Sequence, residues 1–255
     1  MDRAVSRLLR ILDANPSFGL LSPVLLVLTV VTGIVDAVSI LQLGRVFVAN
    51  MTGNVVFTGF ALIGAPGFSL TASVSALAGF LAGALLGGTL ARHKGRDRRE
   101  LARASLLRAG TIAELTLVGG AVLLAVSSGE PWNGVTRACL AALLAIAMGI
   151  QNAVARRLAV PDLTTTVLTM TLTGIAADLR AHNLKSAGLR RRILSVAAML
   201  AGATSGALLV LHASGAAALG LAFALLAVAT FGSVLAARGH GEPAVPPNPV
   251  VSPGS

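Results

Sequence analysis

The sequence predicts an all-α membrane protein of six transmembrane helices plus two polar re-entrant or half-helix segments, arranged as an inverted 3+3 repeat. Three observations predict it. The 255 residues are 55% hydrophobic and 12% charged, with a mean hydropathy of +0.83, outside the range of ordinary water-soluble domains. The basic residues gather in short blocks between long apolar runs. The two halves of the chain also share motifs in the same order.

From the N-terminus, Met1–Pro16 (MDRAVSRLLRILDANP) lacks both the continuous apolar stretch and the small-residue cleavage site of a signal peptide. It reads as a basic amphipathic helix on the membrane surface, with Leu8, Leu9, Ile11 and Leu12 dipping in. Residues 17–237 form the polytopic membrane domain. A crossing helix needs about 20 apolar residues. Six stretches have that length: Gly19–Leu43, Ser69–Ala91, Leu107–Ser127, Val135–Ala155, Ile193–His212 and Ala216–Ala237. Two further stretches, Gly44–Gly64 and Leu158–Leu179, are apolar but rich in Thr, Asn and Gly. Residues 238–255 are Pro-rich and polar and read as a disordered tail.

Charge placement decides how the two polar stretches lie. Lys and Arg number three in Met1–Pro16, seven in Arg92–Arg108, two at Arg156–Arg157, five in Asp178–Arg192 and one at Arg238, which is 18 of the 20. The positive-inside rule makes these blocks cytoplasmic and the turns SSGEPWNG and HASG external. An even number of crossings then separates successive blocks, so each polar stretch enters and leaves on one side. Both termini are cytoplasmic.

The repeat has three anchors. GIVDAVS (Gly33–Ser39) matches GIQNAVA (Gly149–Ala155), TGNVVFTG (Thr52–Gly59) loosely matches TMTLTGIA (Thr169–Ala176), and GFLAGALL (Gly79–Leu86) matches GATSGALL (Gly202–Leu209). The spacing is about 116 residues at the first anchor and 123 at the last, an insertion in the second half. Repeat 1 covers about 19–127 and repeat 2 about 135–237. Three spans per repeat is an odd number, so the halves insert upside down relative to each other. Equivalent loops carry opposite charge character, as inversion requires: ALIGAPGFSL is uncharged where its counterpart is AADLRAHNLKSAGLRRR. Inverted repeats with broken helices are a recurrent transporter and channel plan.

GIVDAVS, FVANMTGN and GIQNAVARR followed by LTTTVLTMTLTG resemble the YoaK-like family of bacterial integral membrane proteins, a family of unknown function. The resemblance covers roughly Leu20 to Ala237, and its specific part is the Asn-Met-Thr-Gly-Asn core. It implies a multi-pass protein of the bacterial inner membrane and no particular activity. One departure is Thr169-Met170-Thr171, where the family carries Thr-Gly-Thr. It speaks against a role needing bare backbone at residue 170.

Irregular backbone survives at membrane depth only where protein surrounds it or water lines it. Asn50, Thr52 and Asn54 suit either the cap of a half-helix or a polar path, and Gly53 allows positive φ or a close neighbour. A half-helix starting near Asn50–Thr52 puts its positive end inside the membrane. Its counterpart starts near Thr164–Thr166, with Asp162 and these threonines as candidate caps. Facing helix starts favour an anion or a carbonyl-bearing solute. The alternative is that these residues only tie helices together. The candidate substrate pathway comprises Asp36, Asn50, Thr52, Gly53, Asn54, Gln151, Asn152, Thr169 and Thr171.

Asp36 and Glu114 lie within spans, where a carboxylate costs roughly 2.5–3.5 kcal/mol, so each is expected to be protonated, paired or facing a cavity. Both are candidate proton sites. Asn152 matches Asp36 across the repeat and keeps the hydrogen-bonding side chain without the charge. The alternatives are that Asp36 caps an unwound turn and Glu114 pairs with Arg108. Gly79, Gly83, Gly87, Gly202 and Gly206 form small-residue faces for close helix packing. Cys139, the single cysteine, excludes an intramolecular disulfide or a thiolate cage and reads as a packing residue.

No enzyme motif is present, and no cofactor or metal is expected. Nucleic acid is not an expected partner despite a net charge of +10, because Tyr is absent and Trp occurs once. The expected partners are the lipid bilayer and an unidentified small solute; a homodimer is one candidate assembly. The leading reading is a small secondary transporter for a polar or anionic solute, with proton coupling through Asp36. A passive channel and a structural or assembly protein remain alternatives.

Overall fold

A computed structural model describes residues 21–93, 99–159, 168–180 and 187–239. Among these the chain is helical without strands: α1 (Leu21–Gln42), α2 (Met51–Leu62), α3 (Leu70–His93), α4 (Arg99–Ser128), α5 (Gly134–Leu158), α6 (Leu168–Arg180), α7 (Ala187–His212) and α8 (Gly215–Gly239). Six of them, all except α2 and α6, are long and apolar enough to cross a membrane. The N-terminal segment 1–16 and nearly all of the tail lie outside the described residues. Helix α8 runs on to Gly239 and so takes in the first two residues of the expected tail.

The polar stretches contain the two short helices. Helix α2 has 12 residues and α6 has 13. At 1.5 Å per residue each is about 18–20 Å long, too short for a hydrocarbon core of about 30 Å. Helix α2 rests on α3, and α6 on α7. An ion pair of 2.7 Å between Arg192 and Asp178 ties α6 to α7.

The long helices pack through small residues. Helix α1 lies closest to α7 and α3 closest to α5. A Cβ on Gly33 of α1 would collide with the α7 backbone at Met199, Gly202 and Ala203, and one on Gly149 of α5 with the α3 backbone at Phe80 and Ala84. The facing glycines are as tightly placed: Gly202 meets Val30, Gly206 meets Ile34, Gly83 meets Ile146 and Gly87 meets Ile150. Helices inside lipid gain no hydrophobic energy from mutual contact, so close backbone approach carries the packing. Helices α4 and α8 cross each other; α4 also packs on α5, and α8 on α1. Leu25, Ile34, Leu107, Leu140, Leu144, Met148, Leu219 and Leu226 fill the centre. The outer surface is apolar too, with Leu85, Leu123, Val126 and Val135 among its exposed residues, as suits a surface solvated by lipid tails. Cys139 is on this outer surface rather than in the packing.

Candidate functional site

Two groups of buried polar residues emerge, and α1 carries part of each. The first ties down the irregular stretch between α1 and α2. Asp36 is 6% exposed; its Oδ1 accepts from the Ala49 backbone N–H (3.2 Å) and its Oδ2 from Asn50 Nδ2 (3.4 Å). Asn50 occupies the N-cap position of α2, but its side chain makes no cap bond. The carboxylate of Asp36 therefore stands under the positive end of α2, where a helix start favours negative charge. Asn54 is fully buried and the sole buried residue of α2. Its Oδ1 accepts from the Phe47 N–H at 2.8 Å while its Nδ2 donates to the Phe47 carbonyl. One side chain thus satisfies both polar groups of a backbone unit that has no helix or sheet to do so. Gly53 has an ordinary φ; what it supplies is room, because a Cβ there would collide with the Phe47 ring. That ring stacks on Phe57 at 5.7 Å, and Phe57 packs against Phe68 at 5.0 Å.

The second group crosses the interior. Gln151 Nε2 donates to Thr32 Oγ1 at 2.8 Å, joining α5 to α1. Glu114 of α4, 1% exposed, shares with Gln151 a small cavity of about 10 Å³ also lined by Thr111, Leu28 and Val154. Glu114 Oε1 and Gln151 Oε1 are both buried without a hydrogen-bond partner among the described residues. Glu114 makes no ion pair with Arg108 among those residues. One turn along α4, Thr111 Oγ1 lies 3.1 Å from Ser233 Oγ of α8, and the Thr111 carbonyl accepts from Thr230 Oγ1 at 3.3 Å. Asp36 and Thr32 are one turn apart on α1. A buried row therefore runs Asp36, Thr32, Gln151, Glu114, Thr111, Ser233.

The structure thus brings Glu114 and Gln151 together, and separately gathers Asp36, Asn50, Gly53 and Asn54. Thr52 and Thr169 face outward on α2 and α6. Asn152 is half-buried and donates to the Met148 carbonyl of its own helix at 2.9 Å. Thr171 is the sole buried residue of α6. Asp162 and Thr164–Thr166 lie outside the described residues. Thr32, Thr111, Thr230 and Ser233 also belong to the interior group and carry no mark of their own in the sequence alone. Each also bonds a carbonyl of its own helix, as Thr32 does to Leu28 at 2.9 Å, so a hydroxyl in a span is unremarkable. Position was the available signal: Thr111 is one turn from Glu114, on the same face.

The profile of the family described as "Protein of unknown function (DUF1275)" matches residues 24–232. The chain is 32% identical over 152 residues to the UPF0700 transmembrane protein YoaK of Bacillus subtilis (strain 168), an alignment spanning 60% of this chain and 64% of that protein. No solved structure matches.

Proposed function

This chain belongs to the DUF1275 family of multi-pass membrane proteins, and from that premise we propose a small secondary transporter for a polar or anionic solute, with a proton carried by Glu114. It resides in the bacterial inner membrane with both termini in the cytoplasm, because the basic residues Arg108, Arg156 and Arg157 lie where the start of α4 meets the end of α5, the end the positive-inside rule makes cytoplasmic. The halves are inverted repeats, and burial supports that reading. In the register Gly33 to Gly149, every buried position of α5 from Leu140 to Ala155 has a buried counterpart in α1. Asn54 and Thr171, each alone in its helix, also correspond. The buried series Thr111, Glu114, Val118, Ala121, Ala125 has the same spacing as Leu219, Ala222, Leu226, Ala229, Ser233. The α3 and α7 glycines correspond as Gly83 with Gly202 and Gly87 with Gly206, since each pair meets matching residues of α5 and α1. That register is one helical turn from the one the GFLAGALL and GATSGALL motifs suggest.

The polar stretches are re-entrant. Asp36 lies six residues before the end of α1, about 9 Å along its axis, and it holds the start of α2 at that depth. The positive end of α2 is filled by the protein's own carboxylate, so solute recognition does not rest on that helix start.

The single observation carrying the transport reading is that the interior row is one-sided from Thr32 to Ser233; Asp36, at its end, is matched by the amide of Asn152. Across the internal two-fold, Thr32 corresponds to Met148, Gln151 to Val35, Glu114 to Ala222, Thr111 to Leu219 and Ser233 to Ala125, all of them buried. The row draws on both halves, through Thr32, Glu114 and Thr111 of the first and Gln151 and Ser233 of the second, and packing alone, in two otherwise matched halves, does not call for polar residues at one member of each pair. A polar row in an apolar interior costs free energy and marks pathways and proton relays. The two unpartnered oxygens at Glu114 and Gln151 are both acceptors, and a proton on Glu114 supplies the donor between them.

The test is proton movement in proteoliposomes with an entrapped pH dye, on addition of a series of small carboxylates and their neutral amides. At least one solute moves protons with the wild type, and Glu114→Gln, nearly isosteric, slows that movement at least tenfold while the protein stays folded. Unaltered movement in Glu114→Gln removes the proton role. No solute-dependent movement across the series sinks the transporter reading for these classes.

A further inference from the structure

Two arginines stand apart from the cytoplasmic blocks, Arg45 and Arg137. They are 92 positions apart in sequence, yet both line one cavity of about 720 Å³ at the end of the bundle opposite Arg156 and Arg157. Neither has a carboxylate partner among the described residues. The one acid in the cavity wall is Glu130, and neither of its oxygens is bonded to an arginine among those residues: Oε2 accepts from Gln42 Nε2, also in the wall, at 3.2 Å, and Oε1 from the Ala216 N–H at 2.9 Å, at the start of α8. Arg45 has a φ of 57°, a left-handed conformation uncommon for a side chain of its size. Its guanidinium lies over Gly67, where a Cβ would come within 3.1 Å of Nη1. An uncommon backbone conformation that aims a cation into a cavity points toward function. Buried Trp132 also lines the cavity, held by its Nε1 donating to the Ala125 carbonyl at 3.1 Å.

We propose that this cavity is an oxyanion-binding vestibule, in which Arg45 and Arg137 receive a carboxylate or phosphate group. Its volume is in the usual range for small-molecule sites. Guanidinium groups suit planar carboxylates and phosphates, which they bind through paired N–H donors. Two guanidinium groups against the single carboxylate of Glu130 leave the mouth net positive, which raises the local concentration of anions. The vestibule deepens the transport reading by giving the solute a charge, and it rests on that reading only for its role, since binding is measured without flux. The same oxyanion chemistry belongs to a free solute and to a lipid headgroup.

The experiment uses the full-length protein in nanodiscs, titrated with succinate, inorganic phosphate and neutral succinamide by calorimetry and thermal unfolding. In phosphatidylcholine discs, succinate or phosphate binds and raises the Tm, while succinamide does not. Arg45→Gln and Arg137→Gln each weaken binding at least tenfold without lowering the ligand-free Tm, the corresponding Lys variants recover part of it, and Arg157→Gln at the opposite end leaves it unchanged. In discs containing phosphatidylglycerol, competition by the lipid for the same arginines identifies a headgroup as the occupant; undiminished succinate binding identifies a free solute. Absence of anion binding in either lipid, or binding unaffected by both Gln variants, overturns the proposal. Binding without any solute movement in proteoliposomes leaves the vestibule standing and removes the transport reading.

Discussion

Asn54 shows how one side chain shapes the polar stretch. A buried backbone unit that is neither helix nor strand must find a donor and an acceptor, and a side-chain amide offers both at once. Asn54→Asp keeps the acceptor for the Phe47 N–H but loses the donor to the Phe47 carbonyl. We expect it to destabilise by about 1–3 kcal/mol, seen as a lower Tm in detergent, whereas Thr52→Ala, on the outer face of the same helix, leaves the Tm within error. Equal effects would show that the clamp does not hold the stretch. Asp36, Glu114 and Asn54 were legible in the sequence because charged and amide side chains are rare and costly in spans. Their roles were not. Asp36 anchors Ala49 and Asn50 across a turn whose course no local pattern encodes. Thr32, Thr111 and Ser233 were invisible, since each hydroxyl is satisfied by its own helix and reveals its second partner only when the helices meet.

At the scale of elements, hydropathy alone gave the number and placement of the long helices, because length and apolarity are all a bilayer requires. Register was harder. The α3 sequence carries Gly79, Gly83, Gly87 and Gly88, so the small-residue pattern repeats every turn and fits its counterpart about as well one turn away. Only the facing backbones choose: Gly83 and Gly202 lie against Ile146 and Val30, which correspond in the proposed repeat. A glycine against backbone cannot be relieved by a rotamer change. Gly33→Ala and Gly149→Ala should therefore cost about 1–3 kcal/mol or more by overpacking, with a matching fall in Tm. Gly120→Ala on α4, where a Cβ meets nothing within 4 Å, should be neutral or slightly stabilising, since Gly is a poor helix former by about 1 kcal/mol. Similar Tm changes at all three positions would refute the close α1–α7 and α3–α5 contacts.

At the scale of the whole molecule, the proposed two-fold sets an interior line of polar residues, Thr32 to Ser233, against an apolar counterpart. The clustering of basic residues was visible in the sequence, and so were the two arginines outside those clusters; their meeting in one cavity depends on the turn after α1 and the start of α5 lying side by side. If water follows the polar line during transport, single cysteines there react with a small thiol reagent and their two-fold counterparts do not. In a Cys139→Ala background, chosen because Cys139 is itself exposed, Thr32→Cys should be labelled at least tenfold faster than Met148→Cys, Thr111→Cys faster than Leu219→Cys, and Ser233→Cys faster than Ala125→Cys. Each comparison sets equally buried sites in equivalent helices against each other, so burial alone predicts no difference. Equal inertness on both sides would make the row a packing device and remove the pathway. Equal reactivity on both sides would mean that water enters the halves alike, and the one-sided placement of Glu114 would then have to be explained without transport.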